Sequence, residues 1–108
     1  MARARRPRAV LALSSRNRYL SVEQRAIAPS LHRALQDVAA RFLAGEAIAP
    51  YCAGAAQMLR EEGFASVDYL EVRDAETLEP LARDDGRAAR VFAAARIGTV
   101  RLIDNVPV

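Results

Sequence analysis

Two hydroxyls and a guanidinium follow one another at Ser14, Ser15 and Arg16, with Asn17 next in line. They stand in a polar break between Val10-Leu11-Ala12-Leu13 and Ser21. A short loop of this composition can donate several hydrogen bonds to phosphate oxygens at once, and arginine adds a planar fork that stays charged. The same residues can also serve as a solvated loop whose side chains cap the following helix, and local sequence leaves both readings open. Other chemistry-bearing residues stand alone. The single histidine, His32, falls within a helical stretch and reads as surface or half-buried structure. Cys52 has no evident histidine partner, so it reads as a small core residue and not a nucleophile. The acidic pairs Glu61-Glu62 and Asp84-Asp85 fall at a helix end and in a loop without further ligands, which favours solvated surface over a metal site.

The elements that must carry these residues follow from spacing. Ser21 and Gln24 have the separation of a capping box, opening a helix. Ile27, Leu31, Leu35, Val38 and Phe42 recur at steps of four, four, three and four and so share one helical stripe. Pro29 removes the bond to the carbonyl of Arg25, yet the stripe stays in phase across it, which predicts a bend and not a break. Gly45 is placed to stop this helix. A second helix is predicted from about Pro50 to Glu62, with Tyr51, Ala55, Met58 and Leu59 inward, Gly63 ending it and Phe64 folding back. Val67 to Val72 reads as a strand and Arg73 to Gly86 as a loop with a helical turn near Thr77. Arg90 to Arg96 and Thr99 to Ile103 read as an antiparallel hairpin joined at Ile97-Gly98. The expected fold class is α+β, with two main helices packed on a small three-stranded antiparallel sheet.

Composition narrows the function. The chain has 108 residues, room for one domain, and 52% hydrophobic residues, too many for a disordered tail. No apolar run approaches the roughly 20 residues that span a bilayer. One cysteine suits a reducing compartment, and the expected location is the cytoplasm. The net charge of +3 invites a nucleic-acid partner. Its distribution argues against one, because residues 1 to 18 hold six arginines and no acid, leaving ten arginines against 13 acids in the body. All 16 basic residues are arginine, a pattern that fits coding bias better than selection for phosphate contacts.

Leu11-Ala12-Leu13-Ser14-Ser15-Arg16-Asn17-Arg18-Tyr19-Leu20-Ser21 resembles the signature that opens the C-terminal domain of pantothenate synthetases. The resemblance continues through Arg25 to Pro29, Val67 to Asp74, Ala93 to Thr99 and Arg101-Leu102-Ile103-Asp104-Asn105, in the expected order. It implies a ligase that uses ATP and Mg²⁺ to join pantoate to β-alanine through a pantoyl adenylate. It further implies that residues 11–108 are the lid domain and that Leu13, Ser14, Ser15 and Arg16 contact the triphosphate. The family usually has Met at the place of Leu13, a change that backbone contacts survive. No part of the chain matches the family's Rossmann-like first domain or its His-x-Gly-His motif, so a fragment inactive alone is expected. Arg101 and Asp104 are expected to make structural pairs.

Residues 1–10 read as a basic arm outside the family pattern. Arg3 to Ala9 can be produced by reading Arg-Glu-Pro-Asp-Gly-Leu-Ala, a common family sequence, two nucleotides out of frame. Two other functions stay open at this point: a module whose basic arm meets RNA or an acidic partner, and a subunit that docks on a separately encoded nucleotide-binding domain. Arginines without interleaved aromatics speak against stacking on single-stranded RNA. Self-association is left open.

Overall fold

The computed structural model describes residues 20–108. Three helices precede three strands: α1 (Val22–Ile27), α2 (Pro29–Leu43), α3 (Ile48–Glu62), β1 (Ser66–Asp74), β2 (Ala89–Ile97) and β3 (Val100–Pro107). The strands form one antiparallel sheet in the order β1-β2-β3. Helices α2 and α3 cover one face of it, the α+β arrangement expected from the sequence.

Pro29 begins α2, and Ala28 between the two helical segments keeps right-handed helical dihedrals (φ −54°, ψ −40°). The helical course therefore continues through the junction, as the unbroken apolar stripe requires. Leu31, Leu35, Val38 and Phe42 are all fully buried. Gly45 (φ 86°) then stops the helix, its N–H bonding the Phe42 carbonyl while the Glu46 N–H bonds that of Arg41, the paired bonds of a Schellman motif. The same pair recurs where α3 ends: Gly63 N–H to Arg60 and Phe64 N–H to Leu59, with Phe64 buried.

Helix α3 starts two residues earlier than the sequence suggested. Ala47 offers no side-chain cap, and the Ile48 N–H is satisfied instead by the Ala82 carbonyl at 3.0 Å, a partner far along the chain. Met58 is 45% exposed, so the inward face of α3 is carried by Ile48, Cys52, Ala55 and Leu59. The hairpin turn also sits one residue later than expected: Ile97 pairs with Val100 across Gly98-Thr99. Among non-glycine residues described, only Leu78 has a positive φ, so Gly98 (φ 59°) alone supplies one in this turn, the type II′ pattern. The 73–86 loop contains the expected turn, with the Leu78 N–H bonding the Asp74 carbonyl at 2.9 Å.

At the centre of the sheet, Ala93 and Ala95 are fully buried beneath the helices. Their small side chains let α2 lie close to β2. A bulge at Asp68 shifts the β1 register, so that Val67 pairs with Ala95 and Tyr69 with Ala94.

Candidate phosphate-loop anchor and the charged sites around it

Leu13, Ser14, Ser15 and Arg16 lie outside the described residues, as does the boundary expected near residue 10. The described chain begins where that motif hands over to the fold, and the hand-over is firmly held. Leu20 is buried in the core. The capping box forms as predicted: the Gln24 N–H donates to Ser21 Oγ at 3.1 Å, and the Ser21 N–H donates to Gln24 Oε1 at 2.9 Å.

The two ends of α1 rest on two glycines. A Cβ on Gly98 would come within 2.5 Å of Gln24 Nε2, so the capping glutamine lies directly over the β2–β3 turn. A Cβ on Gly63 would come equally close to Ile27 Cδ1, so the other end of α1 lies over the end of α3. A six-residue helix has little stability of its own. These close approaches and the cap hold it, and with it the point from which the Ser-Ser-Arg segment departs.

The ionisable residues are placed differently from the sequence expectation. Asp104 does not pair with Arg101. It accepts from the Asn105 N–H at 2.8 Å and meets His32 Nδ1 at 2.7 Å, joining β3 to α2. Arg101 Nε donates instead to Asp68 at 2.7 Å, and Arg96 approaches the same carboxylate at 3.6 Å. The bond from Arg101 holds the Asp68 carboxyl below its ordinary range, with help from the charge of Arg96. His32 thus takes the half-buried structural role anticipated for it. A partner 72 residues away leaves no local signal in the sequence.

At the opposite end of the sheet Arg87 gathers three carboxylates: Asp85 at 2.6 Å, Glu79 at 2.8 Å and Asp74 at 3.5 Å. Asp74 is buried, and its Oδ1 accepts from the N–H groups of Thr77 and Glu76 at 3.0 and 2.7 Å. Those two bonds are the main reason its carboxyl is held below the usual range. Asp85 is lowered chiefly by its bond from Arg87. These residues shape the 73–86 loop. Among the described residues no group of three His, Cys, Asp or Glu side chains could hold a metal ion.

Cys52 is buried, and its thiol is pushed up to about 11, first by burial and then by the charge of Glu71. That is an inert thiol, as its lack of a base implied. It lines an apolar groove of about 450 Å³ between α3 and β1, with Ile48, Ala53, Leu70 and Leu81. Among the described residues no helix is long and apolar enough to cross a membrane.

The family model for pantoate-beta-alanine ligase matches residues 1–107. The chain belongs to this family. Pantothenate synthetase of Dinoroseobacter shibae is 52% identical over 98 residues, covering 91% of this chain and 35% of that protein. The enzyme of the same name from Rhodopseudomonas palustris is 50% identical over 103 residues, covering 95% and 36%. A crystal structure of pantothenate synthetase from Thermus thermophilus superposes with a TM-score of 0.66 at 38% identity, over 97% of this chain and 38% of that one. The chain therefore spans a little over a third of the length of the pantothenate synthetases it matches.

Proposed function

We propose that residues 11–108 form the ATP lid of a ligase that condenses pantoate with β-alanine, and that the chain is inactive without a nucleotide-binding partner domain. The observation that carries this reading is the combination of family membership with coverage of about 35% of a related pantothenate synthetase. Ser14, Ser15 and Arg16, together with the Leu13 backbone, are the proposed triphosphate contacts. Adenylation of pantoate builds negative charge on departing pyrophosphate, and donors delivered by a lid stabilise that charge while excluding water from the acyl adenylate. Mg²⁺ would arrive on the phosphates of ATP, since this cation is commonly held by substrate phosphates and few protein carboxylates. The amine of β-alanine then displaces AMP.

The anchor at the start of α1 gives this reading its physical support. A lid donor is useful only if its loop has a fixed origin, and Leu20, the Ser21 cap and the Gln24–Gly98 approach supply one. Calorimetry of the chain with Mg²⁺ and ATP should show no affinity tighter than about millimolar, because a few charge-assisted contacts of roughly 1.5–3 kcal/mol each must offset the cost of association. Addition of pantoate and β-alanine should release no AMP. Micromolar ATP binding, or AMP release by the chain alone, would contradict the proposal.

A further inference from the structure

Helices α2 and α3 cover one face of the sheet, and strand alternation sends the remaining side chains to the other. Cross-strand pairing sets those side chains in rows. Tyr69 stands opposite Ala94, and Ala94 opposite Ile103. In the next row Glu71 stands opposite Phe92, and Phe92 opposite Asn105. Beyond these two rows, on one side, Arg73 pairs with Arg90. On the other side Arg96 pairs with Arg101, and Asp68 of the bulge meets both. An aromatic and apolar centre is thus bordered at both ends by arginine. Arg90 and Arg96 are six residues apart on β2, about 20 Å at the rise of a strand. Sequence alone hides this face, because its residues come from three strands.

The charge of this face is opposite to that of the rest of the described chain. It holds four of the ten arginines in residues 20–108 and two of the 13 acids, leaving six arginines against 11 acids elsewhere. Its ion pairs do not exhaust the cations. Arg90 and Arg101 bond Asn105 and Asp68 through Nε, and Arg96 lies 3.6 Å from Asp68. A guanidinium has five N–H donors, so others stay available for phosphate oxygens.

The rings lie in a cleft. Tyr69, Phe92, Glu71, Arg73 and Leu78 line a space of about 320 Å³. Leu78 reaches it from the 73–86 loop with a φ of 66°, the one positive value among described non-glycine residues, and is 52% exposed. That backbone conformation is costly for a leucine, and here it sets an apolar side chain in water beside two rings. Arg73 fixes the position, donating to the Leu78 carbonyl at 2.8 Å and to Glu71 at 2.7 Å.

We propose that this face binds single-stranded nucleic acid, with bases stacked on Tyr69 and Phe92 beside Leu78 and phosphates on Arg90, Arg96 and Arg101. Rings set between cations suit such a ligand, because every base has a flat face and every phosphate a charge. An acidic protein surface would engage the arginines and leave the rings unused. Residues 1–10 offer arginines without aromatics, whereas the sheet face offers both. A face of this size holds few nucleotides, so binding should be modest and should weaken steeply with salt.

Fluorescence anisotropy of labelled oligouridylate and oligothymidylate, each of about ten nucleotides, with the 108-residue chain tests the proposal. At least one should bind at low salt, and a preference between them names the strand chemistry the face takes. Inorganic polyphosphate of equal charge should bind about fivefold more weakly or worse, since it offers nothing to stack. Tyr69→Leu and Phe92→Leu keep apolar bulk and lose the ring, and each should weaken binding about fivefold or more. Arg90→Gln should reduce the slope of binding against salt by about one. Circular dichroism checks the fold of each variant, and where one ring variant is unfolded the other and Arg90→Gln decide. Binding of neither oligonucleotide would overturn the proposal. So would polyphosphate that binds as tightly as either. Binding indifferent to all three substitutions would belong to the arginines of residues 1–18 and would overturn it equally.

Discussion

The two ends of the sheet are held by different physics. At the end where α1 begins, Leu20 is buried, Ser21 and Gln24 exchange hydrogen bonds, and the side-chain ends of Gln24 and Ile27 lie close against Gly98 and Gly63. At the far end, the 73–86 loop is held by Arg87 and the carboxylates of Asp74, Glu79 and Asp85. At the first, α1 relies on shape and neutral hydrogen bonds, which hold their strength across pH. The second relies on ionised groups, which do not. The proposed lid role would gain from pH-insensitive support of α1, which follows the proposed phosphate contacts in the chain.

Breaking the contact at the first end should have the larger effect. Gly98→Ala forces a side chain into a positive-φ position and against Gln24 at once. It should cost about 1–3 kcal/mol in a denaturant titration, the range for backbone strain of this kind. Ser21→Ala removes the cap alone and should cost about 1 kcal/mol. If Gly98→Ala proves no more harmful than Ser21→Ala, the close approach of Gln24 to the turn is not supporting α1.

The far end should answer to acid. The carboxyls of Asp74 and Asp85 are lowered there in the folded chain relative to ordinary values. Their contribution is fully present above the ordinary carboxyl range near 4 and is lost as pH falls through the lower folded values. The melting temperature should therefore drop below about pH 4. Arg87→Gln should lower it only slightly at pH 7, since exposed ion pairs contribute little, and should make the acid limb shallower. Gly98→Ala should shift the whole curve without changing that limb. An Arg87→Gln chain with an unaltered acid limb would show that the loop's ion pairs do not govern its acid response.

What could be read from the sequence was what depends on near neighbours. The capping box at Ser21 and Gln24, the continuous stripe through Pro29 and the stops at Gly45 and Gly63 all involve residues a few positions apart. The features that escaped depend on partners far along the chain. Ile48 starts α3 because Ala82 accepts its N–H, Met58 turns outward because Cys52 and Ile48 fill the face toward the sheet, and Asp104 takes His32 in place of Arg101. The bulge at Asp68 looks in sequence like any other strand position, yet it brings that carboxylate to Arg96 and Arg101. The proposed phosphate contacts were legible only through resemblance, because Ser-Ser-Arg has no spacing that by itself separates a phosphate loop from a helix cap.

The most direct test joins residues 11–108 to the nucleotide-binding portion of a related pantothenate synthetase and measures pantoyl adenylate formation. Arg16→Ala should slow that step more than Ser14→Ala, because a permanent charge opposite departing pyrophosphate contributes more in the transition state than one neutral donor. Both variants should leave the melting temperature of the chimera unchanged. An active chimera whose rate of adenylate formation is indifferent to Arg16→Ala would contradict the assignment of this segment as the triphosphate grip.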